Sequence, residues 1–175
     1  MVKEEQIDFG HITDINKIAL LAAVFVTMRA FKQLHLAIRP KLVEVVKTIT
    51  TSDDTVAASK KFCEKVGKTV VIAKDAPGFI VNRLMTPFIN NAVRMLENGV
   101  ASREDIDTAI NLGLNHPMGP LTLVDLIGID TFIFFADAQY EAFKDPQFCP
   151  PTLLRKMATA GWLGRKTKKG FYDYK

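Results

Sequence analysis

One carboxylate interrupts an apolar run in the first third of the sequence. Glu44 lies in Leu42-Val-Glu-Val-Val46, where the β-branched residues predict a strand. Alternation along that strand places Glu44 on the same face as Leu42 and Val46. Burying a carboxylate there without a partner would cost several kcal/mol. Glu44 is therefore either a solvated strand residue or a carboxylate with a dedicated partner, and its apolar neighbours favour the second interpretation.

Asn82 is a second polar residue in apolar surroundings. It lies in Phe79-Ile-Val-Asn-Arg-Leu-Met85, a segment with a helical pattern. A buried side-chain amide needs hydrogen-bond partners, which either a neighbouring element or a bound ligand can supply. Of these two sources we favour the ligand, so Asn82 is a candidate binding residue.

Two basic residues are further candidates. His35 precedes Glu44 by nine residues, and an imidazole can accept a proton near neutral pH. A polar residue near the end of an amphipathic helix is an equally good interpretation of His35. Lys166 belongs to the dense cluster Arg165-Lys-Thr-Lys-Lys169, which is compatible with a small site for a phosphate-bearing ligand. A solvated lysine is the alternative for Lys166.

The segments around Glu44 form a β-α-β pattern. Residues 41–47 and 68–73 are rich in β-branched residues, and each segment predicts a strand. Between them, Thr51-Ser-Asp-Asp54 predicts a capped helix start with acids in its first turn, and Gly67 predicts the end of that helix. The strands should be parallel, and parallel strands are usually buried in larger sheets. The unit is therefore predicted to be the edge of a sheet.

Most of the remaining chain is predicted to be helical. Asp75 and Pro77 should open a long helix that ends at Asn98-Gly99, with Leu84 on its buried face. The turn-rich tail, residues 161–174, ends in aromatic residues that could dock as an extended segment. The other predicted helices are Ile15–Ile38, Ser102–Gly113, Pro120–Ile127, Thr131–Phe143 and Pro151–Ala160.

Composition excludes several classes of function. The net charge of +4 is mild and the basic residues are spread along the chain, so we expect no nucleic-acid partner. The longest apolar run, residues 18–28, is about half the length needed to cross a bilayer, so we expect no membrane partner. Cys63 and Cys149 lack metal-ligand spacing. Two such thiols favour a reducing, cytoplasmic location and predict no metal site.

Four strings, in order along the chain, resemble one enzyme family. Together they resemble the short-chain 3-hydroxyacyl-CoA dehydrogenases over the range from Lys41 to the C-terminus. Their residues are most similar to those of the bacterial 3-hydroxybutyryl-CoA dehydrogenases. The strings are Lys41-Leu-Val-Glu-Val-Val46, Asp75-Ala-Pro-Gly-Phe-Ile-Val-Asn-Arg83, Asn115-His-Pro-Met-Gly-Pro120 with Asp125-Leu-Ile-Gly-Ile-Asp130, and Gly161-Trp-Leu-Gly-Arg-Lys-Thr-Lys-Lys-Gly-Phe-Tyr172.

The resemblance implies a role for each candidate. In the family, hydride passes from C3 of a 3-hydroxyacyl-CoA to NAD, while a histidine supported by a buried carboxylate takes the hydroxyl proton. Glu44 matches that carboxylate, and Asn82 matches the asparagine of the substrate pocket. Lys166 matches a lysine that reaches toward the dinucleotide. His35 is the nearest candidate for the histidine, although the family's His-Phe-Phe-Asn-Pro string is disrupted and its spacing is shortened here.

The resemblance also implies a mainly α fold in three parts. Residues 75–175 should form a helical, 6-phosphogluconate-dehydrogenase-like C-terminal domain, and residues 41–74 a β-α-β remnant of the Rossmann sheet that binds the dinucleotide. Residues 1–40 should be an N-terminal helical segment of unclear origin. No Gly-x-Gly-x-x-Gly follows a strand, so we expect the main NAD-binding domain to be absent and the chain to be inactive alone.

The expected partners follow from the same resemblance. They are an acyl-CoA substrate, a second copy of the chain bound through the helical domain, and a separate nucleotide-binding domain if the gene is split. A truncated gene product is an open alternative to a split subunit. Two other functions stay open as well: a non-catalytic dimeric helical scaffold, and the second domain of another two-domain hydroxyacid dehydrogenase.

Overall fold

The computed structural model describes residues 41–175. The predicted helix Ile15–Ile38 and the candidate base His35 lie outside the described residues. The chain divides into two compact units between Phe79 and Ile80, and each unit is described by itself.

The first unit contains a β-α-β arrangement. Strand β1 (Leu42–Lys47), helix α1 (Asp53–Lys65) and strand β2 (Thr69–Lys74) follow one another. The two strands pair in parallel, with Leu42 opposite Thr69, which confirms the sequence prediction. The hydroxyl of Ser52 accepts a hydrogen bond from the backbone N–H of Thr55 at 3.2 Å and caps α1.

The second unit is helical. Its helices are α2 (Val81–Glu97), α3 (Arg103–Gly113), α4 (Pro120–Ile127), α5 (Ile129–Phe143) and α6 (Thr152–Thr159). Two short 3-10 turns, Pro146–Phe148 and Arg165–Thr167, occupy the connection before α6 and the C-terminal tail. The expected mainly α protein with a preceding β-α-β unit is therefore confirmed.

The predicted helix α3 is found with its predicted ends. The hydroxyl of Ser102 accepts the backbone N–H of Asp105 at 3.1 Å, which satisfies one of the free donors of the first turn. The helix ends at Gly113. Helix α4 also matches its prediction, because Pro120 suits the first position of a helix. Helix α5 begins at Ile129 rather than at Thr131.

The prediction that the long helix opens at Asp75 is wrong. The chain turns through residues 77–80, where Gly78 and Phe79 have φ values of 81° and 45°. A right-handed helix cannot run through left-handed residues, so α2 begins at Val81. The expected burial of Leu84 is also wrong, since its side chain is 70% exposed. It lies on the side of α2 opposite the fully buried Val93.

Apolar side chains from all five helices of the second unit and from the tail form one core. Their burial removes apolar surface from water and provides the main driving force that holds the helices together. The core includes Ile89, Val93, Ile106, Leu121, Val124, Ile129, Phe132, Leu154 and Phe171. No helix among residues 41–175 has the length and apolar character required to cross a membrane.

Candidate functional site

Asn82 lies in the first turn of α2 and is half-buried. Its backbone carbonyl accepts a hydrogen bond from the hydroxyl of Thr86 at 2.8 Å. Within residues 41–175, its side-chain amide has no hydrogen-bond partner. The amide can donate two hydrogen bonds and accept others, so it is available to a ligand oxygen. Asn82 is thus not fully buried and is accessible to water or to a ligand, and its role toward a ligand stays a prediction.

The start of α2 differs from those of α1 and α3 in its side chains. Ile80 at the N-cap position makes no side-chain capping bond, and the first turn contains no acidic residue. Pro87 lies within the same helix. Because proline has no backbone N–H, the carbonyl of Arg83 loses its usual helical donor. One hydrogen bond of the usual helical pattern is therefore missing next to the turn that carries Asn82.

Support for this turn comes from the buried side of α2. Thr86 is fully buried, and Gln139 of α5 is 1% exposed. Nε2 of Gln139 donates to the Thr86 hydroxyl oxygen at 2.8 Å. Neither Thr86 nor Gln139 was predicted from the sequence. The only local signal was the spacing of Asn82 and Thr86, four residues apart, which places both on one face of a helix.

Glu44 occupies the middle of β1, opposite Val71 of β2. Its side chain is half-buried. Of the two residues predicted to share a face with Glu44, Val46 is buried and Leu42 is exposed. Among the described residues, apolar side chains therefore surround Glu44 only in part. Glu44 belongs to the first unit, whereas Asn82 and Lys166 belong to the second.

Lys166 lies in the 3-10 turn of the tail, where it is exposed. Its Nζ forms an ion pair with the carboxylate of Asp130 in the first turn of α5, at 2.6 Å from Oδ2. Burial tends to raise the pKa of Asp130, but hydrogen bonds from Lys166 and the backbone outweigh it and hold that pKa below its usual value. Lys166 therefore has a local partner that any role toward a ligand must displace.

The other cations of the basic cluster lie against aromatic rings. The Nζ of Lys169 is 4.2 Å from the centroid of the Trp162 ring. The guanidinium of Arg165 is 5.3 Å from the ring centroid of Tyr174. Such cation–π contacts stabilise the tail in place. Two cations of the cluster therefore contact aromatic rings of the same C-terminal tail.

Asp125 anchors the C-terminal tail. Its carboxylate accepts the backbone N–H groups of Phe171 and Tyr172, each at 3.0 Å, and the hydroxyl of Tyr174 at 3.0 Å. Burial raises the pKa of Asp125, although these hydrogen bonds oppose the shift. The prediction that the tail aromatics dock is confirmed, because Phe171 joins the core. The carboxylate that holds them was not predicted.

Asp107 forms a second buried anchor. It accepts the backbone N–H groups of Leu121 and Thr122 at 2.8 Å and 2.9 Å, and so caps the start of α4. The hydroxyl of Tyr172 donates to the same carboxylate at 3.0 Å. Asp107 thus joins α3, α4 and the tail. An aspartate at a core-facing position of α3 was the available sequence signal.

The segment before α4 contains a left-handed residue. Asn115 adopts a left-handed φ of 54°, a conformation that asparagine tolerates better than most residues. His116 is exposed, and its ring lies 5.7 Å from that of Phe88. The segment connects α3 to α4.

The connection that follows β1 does not resemble a dinucleotide-binding turn. The connection from β1 to α1 is Thr48-Ile-Thr-Thr-Ser52, which contains no glycine. The hydroxyls of Thr48 and Thr51 lie 2.8 Å apart and bond to each other. A pyrophosphate requires a glycine-rich turn that its oxygens can approach closely, so this connection does not fit one. Residues 41–175 also contain no group of acidic, histidine and cysteine side chains able to hold a metal ion.

Sequence models of one family match most of the chain. The model described as the C-terminal domain of 3-hydroxyacyl-CoA dehydrogenase matches residues 78–174. The model described as the NAD binding domain of 3-hydroxyacyl-CoA dehydrogenase matches residues 14–76. The second match includes the β-α-β unit and extends to residue 14.

Relatives with similar sequences are named as 3-hydroxybutyryl-CoA or hydroxyacyl-coenzyme A dehydrogenases. The 3-hydroxybutyryl-CoA dehydrogenase of Bradyrhizobium diazoefficiens is 49% identical over 135 residues, which are 77% of this chain and 46% of the relative. The mitochondrial hydroxyacyl-coenzyme A dehydrogenase of Sus scrofa is 48% identical over 136 residues, 77% of this chain and 43% of the relative. The chain spans about half the length of the curated relatives it matches.

A solved structure agrees with these matches. The crystal structure of (S)-3-hydroxybutyryl-CoA dehydrogenase from Ralstonia eutropha superposes with a TM-score of 0.75 at 45% identity. The similarity covers 77% of this chain and 48% of that one. The similarity therefore extends from sequence to fold.

Proposed function

Because the chain belongs to the 3-hydroxyacyl-CoA dehydrogenase family, we propose that residues 75–175 form the substrate-binding and dimerisation domain of an NAD-dependent dehydrogenase. The substrates are short 3-hydroxyacyl-CoA thioesters such as 3-hydroxybutyryl-CoA. Residues 41–74 belong to the edge of the dinucleotide-binding domain. NAD is the hydride acceptor of the family.

The observation that carries this proposal is the environment of Asn82. A half-buried amide without a partner among residues 41–175 stands at the start of α2, within the string that resembles the family's substrate pocket. Hydrogen bonds from this amide to the 3-oxygen of the substrate would hold the reacting carbon in place.

The remaining site residues have roles that depend on protons and charge. Glu44 orients the imidazole of His35 in one tautomer and increases its basicity, so that His35 accepts the hydroxyl proton of the substrate. Lys166 leaves Asp130 and extends toward the negatively charged dinucleotide. These roles rest on the resemblance of the surrounding strings.

The chain alone should have little or no activity. This expectation rests on the sequence, in which no Gly-x-Gly-x-x-Gly follows a strand. The test is NADH oxidation with acetoacetyl-CoA by the isolated chain, followed by the same assay after addition of a nucleotide-binding domain from a relative. We expect no turnover alone and measurable turnover after mixing. Turnover by the isolated chain would contradict the proposal.

Association through the helical domain is supported by exposed apolar side chains. Phe134 on α5 is 78% exposed, and burial of an aromatic ring can contribute substantially to an interface. Sedimentation equilibrium should give a dimer for the chain and a smaller dimer fraction for Phe134→Gln. A monomeric chain would contradict this part of the proposal.

The same exposed side chains favour a second candidate function, a non-catalytic dimeric scaffold. The scaffold predicts that Asn82→Ala and Glu44→Gln change nothing and that mixing with a nucleotide-binding domain gives no activity. The dehydrogenase proposal predicts that both substitutions abolish the activity gained on mixing. A dimer with no gain of activity would favour the scaffold.

A further inference from the structure

The hydrogen bonds behind Asn82 form a relay that runs from α5 to the start of α2. Nε2 of Gln139 donates to the hydroxyl oxygen of Thr86 at 2.8 Å. The hydroxyl of Thr86 in turn donates to the backbone carbonyl of Asn82 at 2.8 Å. Both donor residues are buried, at 1% and 0% exposure. The relay therefore connects the core of the second unit with the candidate substrate residue.

The direction of each hydrogen bond in the relay is determined. A hydroxyl has one hydrogen, and the Thr86 oxygen receives the amide hydrogen of Gln139. Its own hydrogen is then directed to the Asn82 carbonyl. Consecutive bonds of this kind polarise and strengthen each other in a buried environment. The relay consequently helps to fix the first turn of α2, to which it is bonded through the carbonyl of Asn82.

Gln139 is held in place from its own helix. A second bond from its Nε2 reaches the backbone carbonyl of Phe135 at 3.2 Å. Its Oε1, however, is buried without a hydrogen-bond partner among the described residues. A half-satisfied buried amide is costly, and an apolar side chain of similar volume would avoid that cost. The partners that the structure shows for the Gln139 amide are those of its donor, Nε2.

We propose that Thr86 and Gln139 are positioning residues that set the orientation of the Asn82 amide toward the 3-oxygen of the acyl-CoA substrate. The proposal rests on the proposed function, in which Asn82 contacts that oxygen. Neither Thr86 nor Gln139 touches the substrate. They act by holding the Asn82 backbone, so the side chain starts from one fixed position.

The test uses the full chain, labelled with ¹⁵N, and two measurements. The first is the position and width of the side-chain amide signals of Asn82, which are identified by their loss in Asn82→Ala. The second is the affinity for acetoacetyl-CoA, measured by calorimetric titration. The variants are Thr86→Val, which keeps the shape and removes the hydroxyl, Thr86→Ser, which keeps the hydroxyl, and Gln139→Met. Thr159→Val is the matched control, since Thr159 donates to the carbonyl of Arg155 within α6.

Thr86→Val and Gln139→Met should shift and broaden the Asn82 signals. Each should weaken acetoacetyl-CoA binding about three- to tenfold, the equivalent of one hydrogen bond. Thr86→Ser should restore both properties, and Thr159→Val should change neither. In an Asn82→Ala background, Thr86→Val should have no further effect on affinity, because the relay acts only through Asn82.

Unchanged Asn82 signals in folded Thr86→Val or Gln139→Met would overturn the relay, whatever the affinity. Equal losses of affinity for Thr86→Val with and without Asn82 would also overturn it. A different result bears on the proposed function alone. If Asn82→Ala binds acetoacetyl-CoA as tightly as the unmodified chain, the substrate role of Asn82 fails, while the Asn82 signals of the other variants still decide the relay.

Discussion

The hydroxyl of Tyr174 donates to Oδ2 of Asp125 at 3.0 Å and thereby ties the C-terminal end of the chain to α4. Asp125 is 1% exposed and also accepts the backbone N–H groups of Phe171 and Tyr172. A buried carboxylate is stable only when its oxygens are paired. The tail and Asp125 therefore satisfy each other, and the segment that carries Lys166 is fixed as a result.

Removal of the Tyr174 hydroxyl should destabilise the protein. Tyr174→Phe leaves Asp125 with one donor fewer in a buried position, so we expect a loss of about 1–3 kcal/mol in the free energy of unfolding. Urea unfolding measures it. Tyr140→Phe is the control, because the Tyr140 hydroxyl has no hydrogen-bond partner among residues 41–175. Equal unfolding midpoints for the two variants would show that the tyrosine bond contributes nothing.

The same bond should make the protein sensitive to alkaline pH. Burial and the charge of Asp125 raise the pKa of Tyr174 from 10.0 to about 12. The folded state then keeps this proton at pH values where the unfolded state loses it, so stability is complete below pH 10.0 and falls as pH rises toward about 12. Urea midpoints measured between about pH 9 and about pH 11 should fall more steeply for the unmodified chain than for Tyr174→Phe. Tyr172 is replaced by phenylalanine in both proteins, because its pKa is also raised. Parallel curves of urea midpoint against pH would then contradict the raised pKa of Tyr174.

Two glycines should respond in opposite ways to substitution by alanine. A Cβ at Gly170 would overlap the carboxylate of Asp125, whereas a Cβ at Gly113 would meet no atom within 4 Å. We expect Gly170→Ala to lower stability by about 1–3 kcal/mol through overpacking. Gly113→Ala, at the end of α3, should raise stability by up to about 1 kcal/mol. Thermal unfolding distinguishes the two, and a neutral Gly170→Ala would show that the tail can move away from Asp125.

The Lys166–Asp130 pair should matter more for the pKa of Asp130 than for stability. Both side chains are more than 40% exposed, and exposed pairs contribute less than about 1 kcal/mol. Lys166→Met should therefore unfold at nearly the same urea concentration as the unmodified chain. In an NMR titration the pKa of Asp130 should rise, since the hydrogen bond that lowers it is lost. An unchanged pKa of Asp130 in Lys166→Met would contradict the pairing.

Short sequence patterns predicted the helix starts and the strands that depend on neighbouring residues alone. The Ser102–Asp105 cap and Pro120 marked the starts of α3 and α4, and β-branched runs marked both strands. The start of α2 was missed because Phe79 adopts a left-handed conformation. That conformation is uncommon for a non-glycine residue, so no propensity indicates it.

The site was predictable in part. Asn82 stood out because it interrupts an apolar turn, and the structure leaves its amide without a partner among the described residues. Its supporting bond between Thr86 and Gln139 joins residues 53 positions apart. Such a pair depends on how α2 and α5 pack, and periodicity within one helix contains no information on it. Asp107 and Asp125, whose carboxylates anchor the tail, were not predicted for the same reason.

The assignment of the helical domain to an acyl-CoA substrate can be tested by the binding of acetoacetyl-CoA. The ligand is titrated calorimetrically into the full chain, into Asn82→Ala, and into Asn91→Ala, whose substitution lies on the exposed side of the same helix. We predict saturable binding to the unmodified chain and to Asn91→Ala, with affinity about tenfold lower for Asn82→Ala. Equal affinities for all three proteins, or no binding to any of them, would contradict the assignment of this helical domain to an acyl-CoA substrate.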